Sequence, residues 1–386
     1  MKHVVLLGST GSIGKNCLRV VREFRTRFRI AGLATWSNVK ALAEQVEEFE
    51  PVAVSIGDER AAEEFRQGPQ ARGLEVLSGE EGLIELVRLG QAQMVVNALV
   101  GAIGLLPTVE AVKSGKDVAL ANKESMVLAG EIVMRLAKEH GSNLLPIDSE
   151  HSGIHQCLAG RSVGIRKIVL TASGGPLMGR SQEELRNVTP EEVMRHPVWS
   201  MGKRICVDSA SLLNKGLEVM EARWFFGVEL SSIGVLLHPQ CVVHGMVEFA
   251  DGSTLAQISR PDMKIPILYA LSYPERVEAS FESCNLADLH SLTFVEPDLD
   301  RFPCLRLAYA AARAGGTVPA YLNAADEVAV EAFLLGTVRF TDIPRILEST
   351  LERLTWRPAT SIEDTLAADA EARIVAKGIV SEVRVG

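Results

Sequence analysis

The stretch that decides the fold is His3-Val4-Val5-Leu6-Leu7-Gly8-Ser9-Thr10-Gly11-Ser12-Ile13-Gly14. Residues 3–7 form a continuous apolar run, which predicts a buried strand, and the amphipathic residues 15–25 predict a helix. The three glycines between them let the backbone approach a pyrophosphate at the helix N-terminus, where free N–H groups and the helix dipole favour an anion. This is the context that the dinucleotide-binding pattern requires, and a tight turn without a ligand is the alternative.

The same alternation of strand and helix continues beyond this motif. Apolar runs cover 30–35, 52–56, 94–99 and 117–121, and they alternate with helical patterns at 39–49, 80–89, 106–114 and 124–138. Alternation of this kind predicts a parallel sheet with helices on both faces. The predicted fold class is therefore α/β, beginning with a Rossmann-like domain over residues 1–147.

The pattern changes near Leu144. Short strand-like runs cover 165–172, 203–207, 233–238, 241–249 and 253–259, with helices predicted at 151–159, 181–187 and 212–226. Residues 273–304 are rich in Pro and Asp, which predicts a connection, and helical patterns follow at 305–314, 322–335, 341–352 and 361–376. We therefore expect a second α/β domain over 148–272, a linker over 273–304 and a helical C-terminal region over 305–386.

Composition limits the possible functions. The chain has 386 residues, of which 47% are hydrophobic and 23% charged, so it is globular and long enough for two or three domains. Its net charge of −9 argues against nucleic acid or an anionic membrane as a partner. No apolar run reaches the roughly 18 residues of a membrane span, and the first strand leaves no room for a signal peptide. Six cysteines without CxxC spacing are typical of a reducing, cytoplasmic location.

The end of the second predicted strand bears on the choice of nucleotide. An enzyme that uses NAD usually places Asp or Glu there to hold the ribose 2′-hydroxyl. This chain instead has Ala34-Thr35-Trp36-Ser37-Asn38, and the missing carboxylate favours NADP. Because the nearest basic residue is Lys40, a 2′-phosphate would contact Ser37, Asn38 and backbone N–H groups.

Two carboxylates follow the apolar run 144–147. Asp148 and Glu150 are two residues apart, so in an extended segment both can face one cation. Alternatively, the Asp or Ser at this point caps the helix that follows. Glu218 would add a third oxygen ligand, and three carboxylates with positions left for water and substrate suit Mg²⁺ or Mn²⁺.

Four histidines invite a zinc interpretation, which we do not prefer. His151 and His155 are four residues apart, but the Glu of HExxH is missing because residue 152 is Ser. These two are therefore interpreted as helix-face histidines. His238 and His244 flank a strand-like run and are interpreted as structural.

Residues 196–218 concentrate groups that a phosphorylated, metal-bound substrate would need. Ser209, Asn214 and Lys215 can donate hydrogen bonds to phosphate. His196, Trp199 and Met201 stand in a run with Pro197 and Gly202, which is typical of a loop and suggests a lid. An ordinary loop followed by an amphipathic helix is the alternative.

Two further polar residues follow predicted strands. Ser173 belongs to Ala172-Ser173-Gly174-Gly175-Pro176, where the glycines expose backbone N–H groups. Lys123 follows the run 117–121, and at the carboxyl end of a parallel strand it would project into the ligand crevice. A turn without a ligand and a solvated lysine are the corresponding alternatives.

Together these motifs resemble the 1-deoxy-D-xylulose 5-phosphate reductoisomerase family. The order and spacing are kept over nearly the whole chain, in the motifs Gly8–Gly14, Ala121–Ser125, Ile147–His151, Ala172–Pro176, His196–Gly202, Val207–Ala210, Asn214–Glu218, His238–Gln240 and Leu322–Glu327. The resemblance implies isomerisation of 1-deoxy-D-xylulose 5-phosphate and its NADPH-dependent reduction to 2-C-methyl-D-erythritol 4-phosphate, in the non-mevalonate route to isoprenoid precursors. It also implies a divalent cation (Mg²⁺, Mn²⁺ or Co²⁺), a small phosphorylated ketose as substrate, and a homodimer. In this family the first domain binds NADPH, and the resemblance implies an α/β catalytic and dimerisation domain with a substrate lid over 148–272 and a C-terminal helical bundle over 305–386.

The resemblance also implies a role for each matching residue. The residues that would hold the cation are Asp148, Glu150 and Glu218, with Ser149 touching the oxygen-bearing end of the substrate. The residues that would grip the phosphate are Ser173, Ser209, Asn214 and Lys215, with His196 nearby on the lid and Trp199 and Met201 closing over the substrate. Lys123 would lie between substrate and nicotinamide. The residues that would bind the dinucleotide are Gly8, Thr10, Gly11, Ser12, Ile13, Gly14, Ser37, Asn38, Asn122, Lys123, Glu124 and Gly202.

The chain departs from the family pattern at two positions. A basic residue is common after the second strand, where this chain has Trp36-Ser37-Asn38, and an aromatic residue is usual where Leu177 stands. Two other classes of protein were weighed. A semialdehyde dehydrogenase would need a nucleophilic cysteine, and none of the six has a catalytic setting. A nucleotide-binding sensor would not need both the acidic trio and the phosphate group.

Overall fold

The computed structural model describes residues 1–160, 164–195, 198–199 and 201–383. These residues form two units. The first is made of residues 1–125, 133–152 and 262–281, and the second of the remaining described residues. Residues 262–281 thus belong to the first unit, whereas the sequence pattern assigns them to the predicted second domain (148–272) and the linker (273–304).

A sheet of seven parallel strands forms the centre of the first unit, in the order β4-β3-β2-β1-β5-β6-β7. The strands are β1 (Lys2–Leu7), β2 (Phe28–Thr35), β3 (Ala53–Ile56), β4 (Glu75–Ser78), β5 (Met94–Asn97), β6 (Asp117–Leu120) and β7 (Leu144–Pro146). The intervening helices are α1 (Ser12–Glu23), α2 (Val39–Phe49), α3 (Glu59–Arg66), α4 (Gly79–Arg88), α5 (Leu105–Lys113), α6 (Lys123–His140) and α7 (Ser149–Leu158). The predicted α/β class is confirmed.

Helices cover both faces of this sheet because its strands are apolar on both sides. Val4 and Leu6 of β1 belong to a core formed with α1, α2, α3 and the later helix α12 (Lys264–Ser272). On the opposite face α4 lies so close to β2 that a Cβ on Gly32 would be 2.8 Å from the Leu86 side chain. The strand order reverses between β1 and β5, which places a ligand crevice at the carboxyl ends of these two strands.

The second unit combines a four-stranded mixed sheet with helices. Its strand order is β11-β10-β8-β9, with β8 (Ile165–Ala172), β9 (Ile233–Leu237), β10 (Val243–Phe249) and β11 (Thr254–Ile258). β8 is parallel to β9, and β10 is antiparallel to β8 and β11. The remaining helices are α8 (Gln182–Leu185), α9 (Pro190–Val193), α10 (Lys203–Ala210), α11 (Leu213–Phe226), α13 (Leu286–Leu289), α14 (Pro303–Ala314), α15 (Val318–Leu334), α16 (Ile343–Arg353) and α17 (Ile362–Val383).

The predicted strand at 203–207 is wrong, because these residues begin α10. The apolar, partly β-branched run Ile205-Cys206-Val207 favoured a strand, but the helix places Arg204 and Asp208 one turn apart, where they form an ion pair. The sequence also missed α12, whose residues Pro266–Ser272 are all buried, so that no amphipathic period marks it. Among the described helices, none has the length and apolar character needed to cross a bilayer.

Candidate active site

The glycine turn lies where the sequence predicted it, between β1 and the N-terminus of α1. Gly8 has φ +76°, and a Cβ there would be 2.5 Å from the carbonyl oxygen of Ala98. At Gly14 a Cβ would be 2.3 Å from the Gly8 oxygen and 2.6 Å from Ser9 Cα. These two glycines are therefore required by the fold itself, since both contacts involve backbone.

Gly11 differs from the other two glycines. It is exposed and has φ −76°, and a Cβ there would meet only the Gly8 oxygen, at 3.3 Å. The protein's own packing therefore does not demand glycine at this position. Gly11 is also the residue that caps α1, and it has no side chain to satisfy the N–H groups of the first turn. An open backbone approach to a helix N-terminus fits the pyrophosphate of a dinucleotide.

Side chains from the end of β2 and from α2 contact the glycine turn. Thr10 Oγ1 lies 2.7 Å from Thr35 Oγ1, and Ser9 Oγ donates to Gln45 Oε1 at 2.6 Å. Of the residues predicted to contact a 2′-phosphate, Asn38 accepts a hydrogen bond from the Ala41 N–H at 3.2 Å and so caps α2. Ser37 is exposed.

The motif at the start of α6 ties its side chains to the loop after β5. Asn122 Nδ2 donates to the carbonyl oxygens of Leu99 at 3.1 Å and Gly101 at 3.0 Å, while Glu124 Oε1 accepts from Gly101 N–H at 2.9 Å. Asn122 and Glu124 thus shape the crevice, and their contact with a dinucleotide stays a prediction. Lys123 is 8% exposed, and its Nζ lies 3.3 Å from Asp148 Oδ2.

Asp148 performs the capping role that was the alternative to metal binding. Its Oδ1 accepts from the Glu150 N–H at 3.3 Å at the start of α7, and it lies 3.6 Å from Nδ1 of the fully buried His151. Its Oδ2 faces Lys123. Ser149 Oγ donates to Glu150 Oε2 at 2.5 Å. Both oxygens of Asp148 and one oxygen of Glu150 thus have protein partners, and carboxylates of this kind are the hard donors that suit Mg²⁺.

In the second unit, the turn that carries Ser173 packs on the helix that carries Ser209. Ser173 follows β8, and its Oγ accepts a hydrogen bond from Gly175 N–H at 3.0 Å. Gly175 has φ +66°, and a Cβ there would be 3.1 Å from both the Ser209 oxygen and Ala210 Cα. The glycine turn after β8, which follows Ser173, therefore packs directly on the end of α10, which carries Ser209.

The other two predicted phosphate-binding residues lie in the first turn of α11. Leu212, with φ 61°, precedes this helix, and no side chain caps its N-terminus. Asn214 Nδ2 donates to Glu218 Oε1 at 2.6 Å, and the buried Lys215 forms an ion pair with Glu218, which is 1% exposed. The structure thus joins two residues predicted for phosphate to one predicted for the metal, a pairing that the sequence did not indicate.

The predicted lid is described in part. Trp199 is half-buried, and its ring centroid lies 6.2 Å from that of His244. Met201 accepts a hydrogen bond from Cys206 Sγ at 3.9 Å, and Gly202 is the N-cap of α10. His196 lies outside the described residues.

Both histidines that are interpreted as structural from the sequence contact backbone oxygens. His238 Nδ1 lies 2.9 Å from the Thr293 oxygen, and His244 Nε2 lies 3.3 Å from the Ser259 oxygen. Burial lowers the pKa of His155. These contacts agree with the structural interpretation of His238 and His244.

Sequence reasoning missed a charged network around Arg204. Its guanidinium lies 2.9 Å from Glu327 Oε1, 3.0 Å from Asp326 Oδ2 and 3.4 Å from Asp208 Oδ2. Although burial acts against ionisation, Arg204 and Arg373 hold the pKa of Glu327 below its ordinary value. The signal was available in Leu322–Glu327, because acidic residues at 326 and 327 in an otherwise apolar helix need partners. This network anchors α10, which carries Ser209, to α15.

Comparisons with known proteins identify the family. Three family models match: 1-deoxy-D-xylulose 5-phosphate reductoisomerase over residues 4–130, the C-terminal domain of that family over 144–226, and the DXP reductoisomerase C-terminal domain over 258–375. The 1-deoxy-D-xylulose 5-phosphate reductoisomerase of Thermodesulfovibrio yellowstonii is 49% identical over 383 residues, covering 99% of this chain and 100% of its own.

Two solved structures are similar over nearly the whole chain. The reductoisomerase of Zymomonas mobilis in complex with NADPH is 40% identical, with a TM-score of 0.91 and coverage of 98% of this chain and 99% of its own. A DOX-P reductoisomerase in complex with NADPH, fosmidomycin and magnesium is also 40% identical, with a TM-score of 0.93 and coverage of 99% and 98%. On its sequence and its fold alike, the chain belongs to the 1-deoxy-D-xylulose 5-phosphate reductoisomerase family.

Proposed function

We propose that this chain is the enzyme that converts 1-deoxy-D-xylulose 5-phosphate to 2-C-methyl-D-erythritol 4-phosphate with NADPH and a divalent cation. The observation that carries the proposal is the packing of the Ser173 turn, through Gly175, on the end of α10, the helix that carries Ser209. Two serines on adjoining elements, in a chain whose glycine turn also suits a dinucleotide, fit a phosphorylated substrate reduced by a nicotinamide nucleotide.

The chain's own groups would bind the nucleotide at the carboxyl end of β1. The open backbone at Gly11 and the N–H groups of Ser12 and Ile13 would receive the pyrophosphate, because the first turn of α1 lacks a capping side chain. The side chain of Ile13 packs into the core, so only its backbone is available. Lys123, almost buried at the start of α6, would place its ammonium between nicotinamide and substrate.

The donor set for the cation is Asp148, Glu150 and Glu218. All three are carboxylates, which suits Mg²⁺ or Mn²⁺ rather than a metal that prefers sulfur or imidazole ligands. Lys215 and Asn214 hold the Glu218 carboxylate through direct contacts. When Glu218 binds a cation, we expect these two donors to be released toward the substrate phosphate.

The chemistry divides between bound groups and protein. NADPH would supply the hydride, and the cation would polarise the ketone that undergoes rearrangement. The protein would orient the substrate through its phosphate, far from the reacting carbons, so that binding energy serves positioning. The Lys123 ammonium, 3.3 Å from Asp148, would help to stabilise negative charge developing on substrate oxygen. Trp199 and Met201 would exclude water from the reaction.

The test is NADPH oxidation that starts on adding 1-deoxy-D-xylulose 5-phosphate with Mg²⁺. We expect the rate to vanish with EDTA and to return with excess Mg²⁺. The matched control is 1-deoxy-D-xylulose, which lacks the phosphate and should react poorly because the phosphate site stays empty. A chain that oxidises no NADPH with the phosphorylated ketose, or one indifferent to EDTA, would overturn the proposal.

Two further proposals concern the oligomeric state, which the family resemblance implies, and the cellular compartment. We propose a homodimer, to be measured by light scattering across a dilution series, where a mass of one chain at all concentrations would contradict it. We also propose that the enzyme works in the cytoplasm, because the thiols of Cys17, Cys206 and Cys304 are buried and unpaired in disulfides.

A further inference from the structure

Trp36, the first residue after β2, has an unusual setting. Its side chain is 56% exposed, yet its six-membered ring lies against the buried Gly57. A Cβ at Gly57 would be 2.2 Å from Cε3, 2.7 Å from Cζ3 and 2.9 Å from Cδ2 of the ring. The absence of a side chain at residue 57 therefore lets the ring occupy this position, and more than half of the Trp36 side chain remains exposed to solvent.

The backbone under this ring is fixed on both sides. Gly57 N–H donates to the Thr35 oxygen at 3.0 Å, and Asp58 N–H donates to the Trp36 oxygen at 2.8 Å. The Asp58 carboxylate is engaged at the start of α3, where it accepts from Ala61 N–H at 2.8 Å. The backbone on which the ring rests is therefore ordered before a flat partner binds, which lowers the cost of ordering on binding.

The position of Trp36 relates it to the glycine turn. Thr35, its neighbour in the chain, contacts Thr10 of that turn at 2.7 Å between hydroxyl oxygens. In a sheet of this order, the adenosine half of a dinucleotide lies from the first turn toward the end of β2. Residues 34–38 offer neither a carboxylate for a ribose hydroxyl nor a basic side chain for a 2′-phosphate. The large side chain that this segment offers for contact with the adenosine half is the Trp36 ring.

We propose that the exposed side of Trp36 is a stacking platform for the adenine ring of the dinucleotide. The inference rests on the proposed binding of NADPH, and it adds a recognition group that neither the fold nor the family similarity assigns. Indole and adenine are flat aromatic rings of similar size, and such rings favour offset stacking. Because the base is common to NADPH and NADH, the stack strengthens both equally and does not discriminate between them.

The test is calorimetric titration of the protein, without substrate, with NADPH, NADH and 5′-AMP. Trp36→Ala should weaken all three ligands by a similar factor, about tenfold or more, as expected for loss of a stack on one base. Trp36→Phe should restore most of the affinity, because a smaller ring still stacks. The matched control is Trp356→Ala, which removes another exposed tryptophan, 54% exposed, from the second unit and should change none of the three constants.

Gly57→Ala tests the platform without removing the ring. The added methyl group should displace Trp36, so the loss of affinity should match that of Trp36→Ala. The double variant Trp36→Ala/Gly57→Ala should be no worse than either single variant, because both changes remove one interaction. If Gly57→Ala fails to fold, Trp36→Ala and Trp36→Phe decide alone.

The outcomes separate the inference from the function on which it rests. Wild-type protein that binds NADPH together with Trp36→Ala that binds it equally well overturns the platform and leaves the proposed function standing. Loss of NADPH affinity with unchanged 5′-AMP affinity also overturns it, because the stack would then not involve the base. Wild-type protein that binds no NADPH overturns both.

Discussion

Two of the three glycines in the turn should respond in opposite ways to the same added methyl group. In Gly14→Ala the Cβ would be 2.3 Å from the Gly8 oxygen and 2.6 Å from Ser9 Cα, so only a backbone shift relieves the clash. Overpacking of this kind costs typically about 1–3 kcal/mol, and alanine's better helix propensity offsets up to about 1 kcal/mol. At about 2–4 °C per kcal/mol for units of this size, Tm should fall by several degrees.

Gly11→Ala should leave the fold almost unchanged and damage binding instead. Its φ of −76° suits alanine, and the nearest atom to the new Cβ is the Gly8 oxygen at 3.3 Å. The expected cost to stability is at most about 1 kcal/mol, the difference between glycine and alanine as an N-cap residue. Because the methyl group would stand where the pyrophosphate approaches, Kd for NADPH should rise by about tenfold or more, equivalent to at least about 1.4 kcal/mol.

Thermal unfolding and calorimetric titration of the same preparations check both expectations. The matched control is Gly90→Ala, which has no heavy atom within 4 Å of the new Cβ and should change neither quantity. If Gly11→Ala bound NADPH as tightly as wild type, the pyrophosphate would not lie over Gly11. If Gly14→Ala kept the wild-type Tm, the close packing of α1 on the turn would not limit the fold.

Four further predictions concern the rest of the site. Glu218→Gln keeps the shape of a buried side chain but removes the charge of a metal ligand, so kcat should fall by a large factor while Tm changes much less. Near wild-type turnover in saturating Mn²⁺ would contradict the assignment of Glu218 as a metal ligand. Trp199→Ala should leave Kd for NADPH intact and lower kcat/KM, and unchanged kinetics would argue against a lid. Arg204→Met should lower the free energy of unfolding by about 3–5 kcal/mol, because it removes the cation that pairs with Asp208, Asp326 and Glu327. Denaturant unfolding measures this loss, and Arg204→Lys should lose less because it keeps the charge. A wild-type value for Arg204→Met would show that the network does not stabilise the unit. Trp36→Arg should raise the ratio of kcat/KM for NADPH over NADH, because arginine can pair with a 2′-phosphate, and an unchanged ratio would place the 2′-position elsewhere.

The sequence predicted the fold best where the residue types and the hydrophobic periodicity indicate the same element. The run 3–7 and the glycines behind it have one stable arrangement, a buried strand followed by a helix, and β1 and α1 have it. Prediction failed where tertiary contacts decide. Residues 203–207 have the composition of a strand, and the helix prevails because Arg204 finds acidic partners on α15, more than 100 residues away in the chain.

The candidate site shows the same limit at the level of side chains. The spacing of Asn214, Lys215 and Glu218 indicated donors for phosphate and a ligand for a metal, but not that they contact one another on one helix face. Likewise, the resemblance indicated that residues 36–38 lack the basic residue common in the family, but the position of the Trp36 ring depends on Gly57, which reaches it through the pairing of β2 with β3. Contacts across strands are not visible in local spacing.

The central claim is that one chain couples rearrangement of the carbon skeleton to hydride transfer. The most direct measurement uses NADPH carrying deuterium at the transferable position of the nicotinamide, with 1-deoxy-D-xylulose 5-phosphate and Mg²⁺, followed by mass spectrometry and NMR of the product. The account predicts 2-C-methyl-D-erythritol 4-phosphate with a single deuterium on the carbon that the hydride reduces. An unbranched deoxypentitol phosphate carrying the deuterium would show reduction without rearrangement and would contradict it.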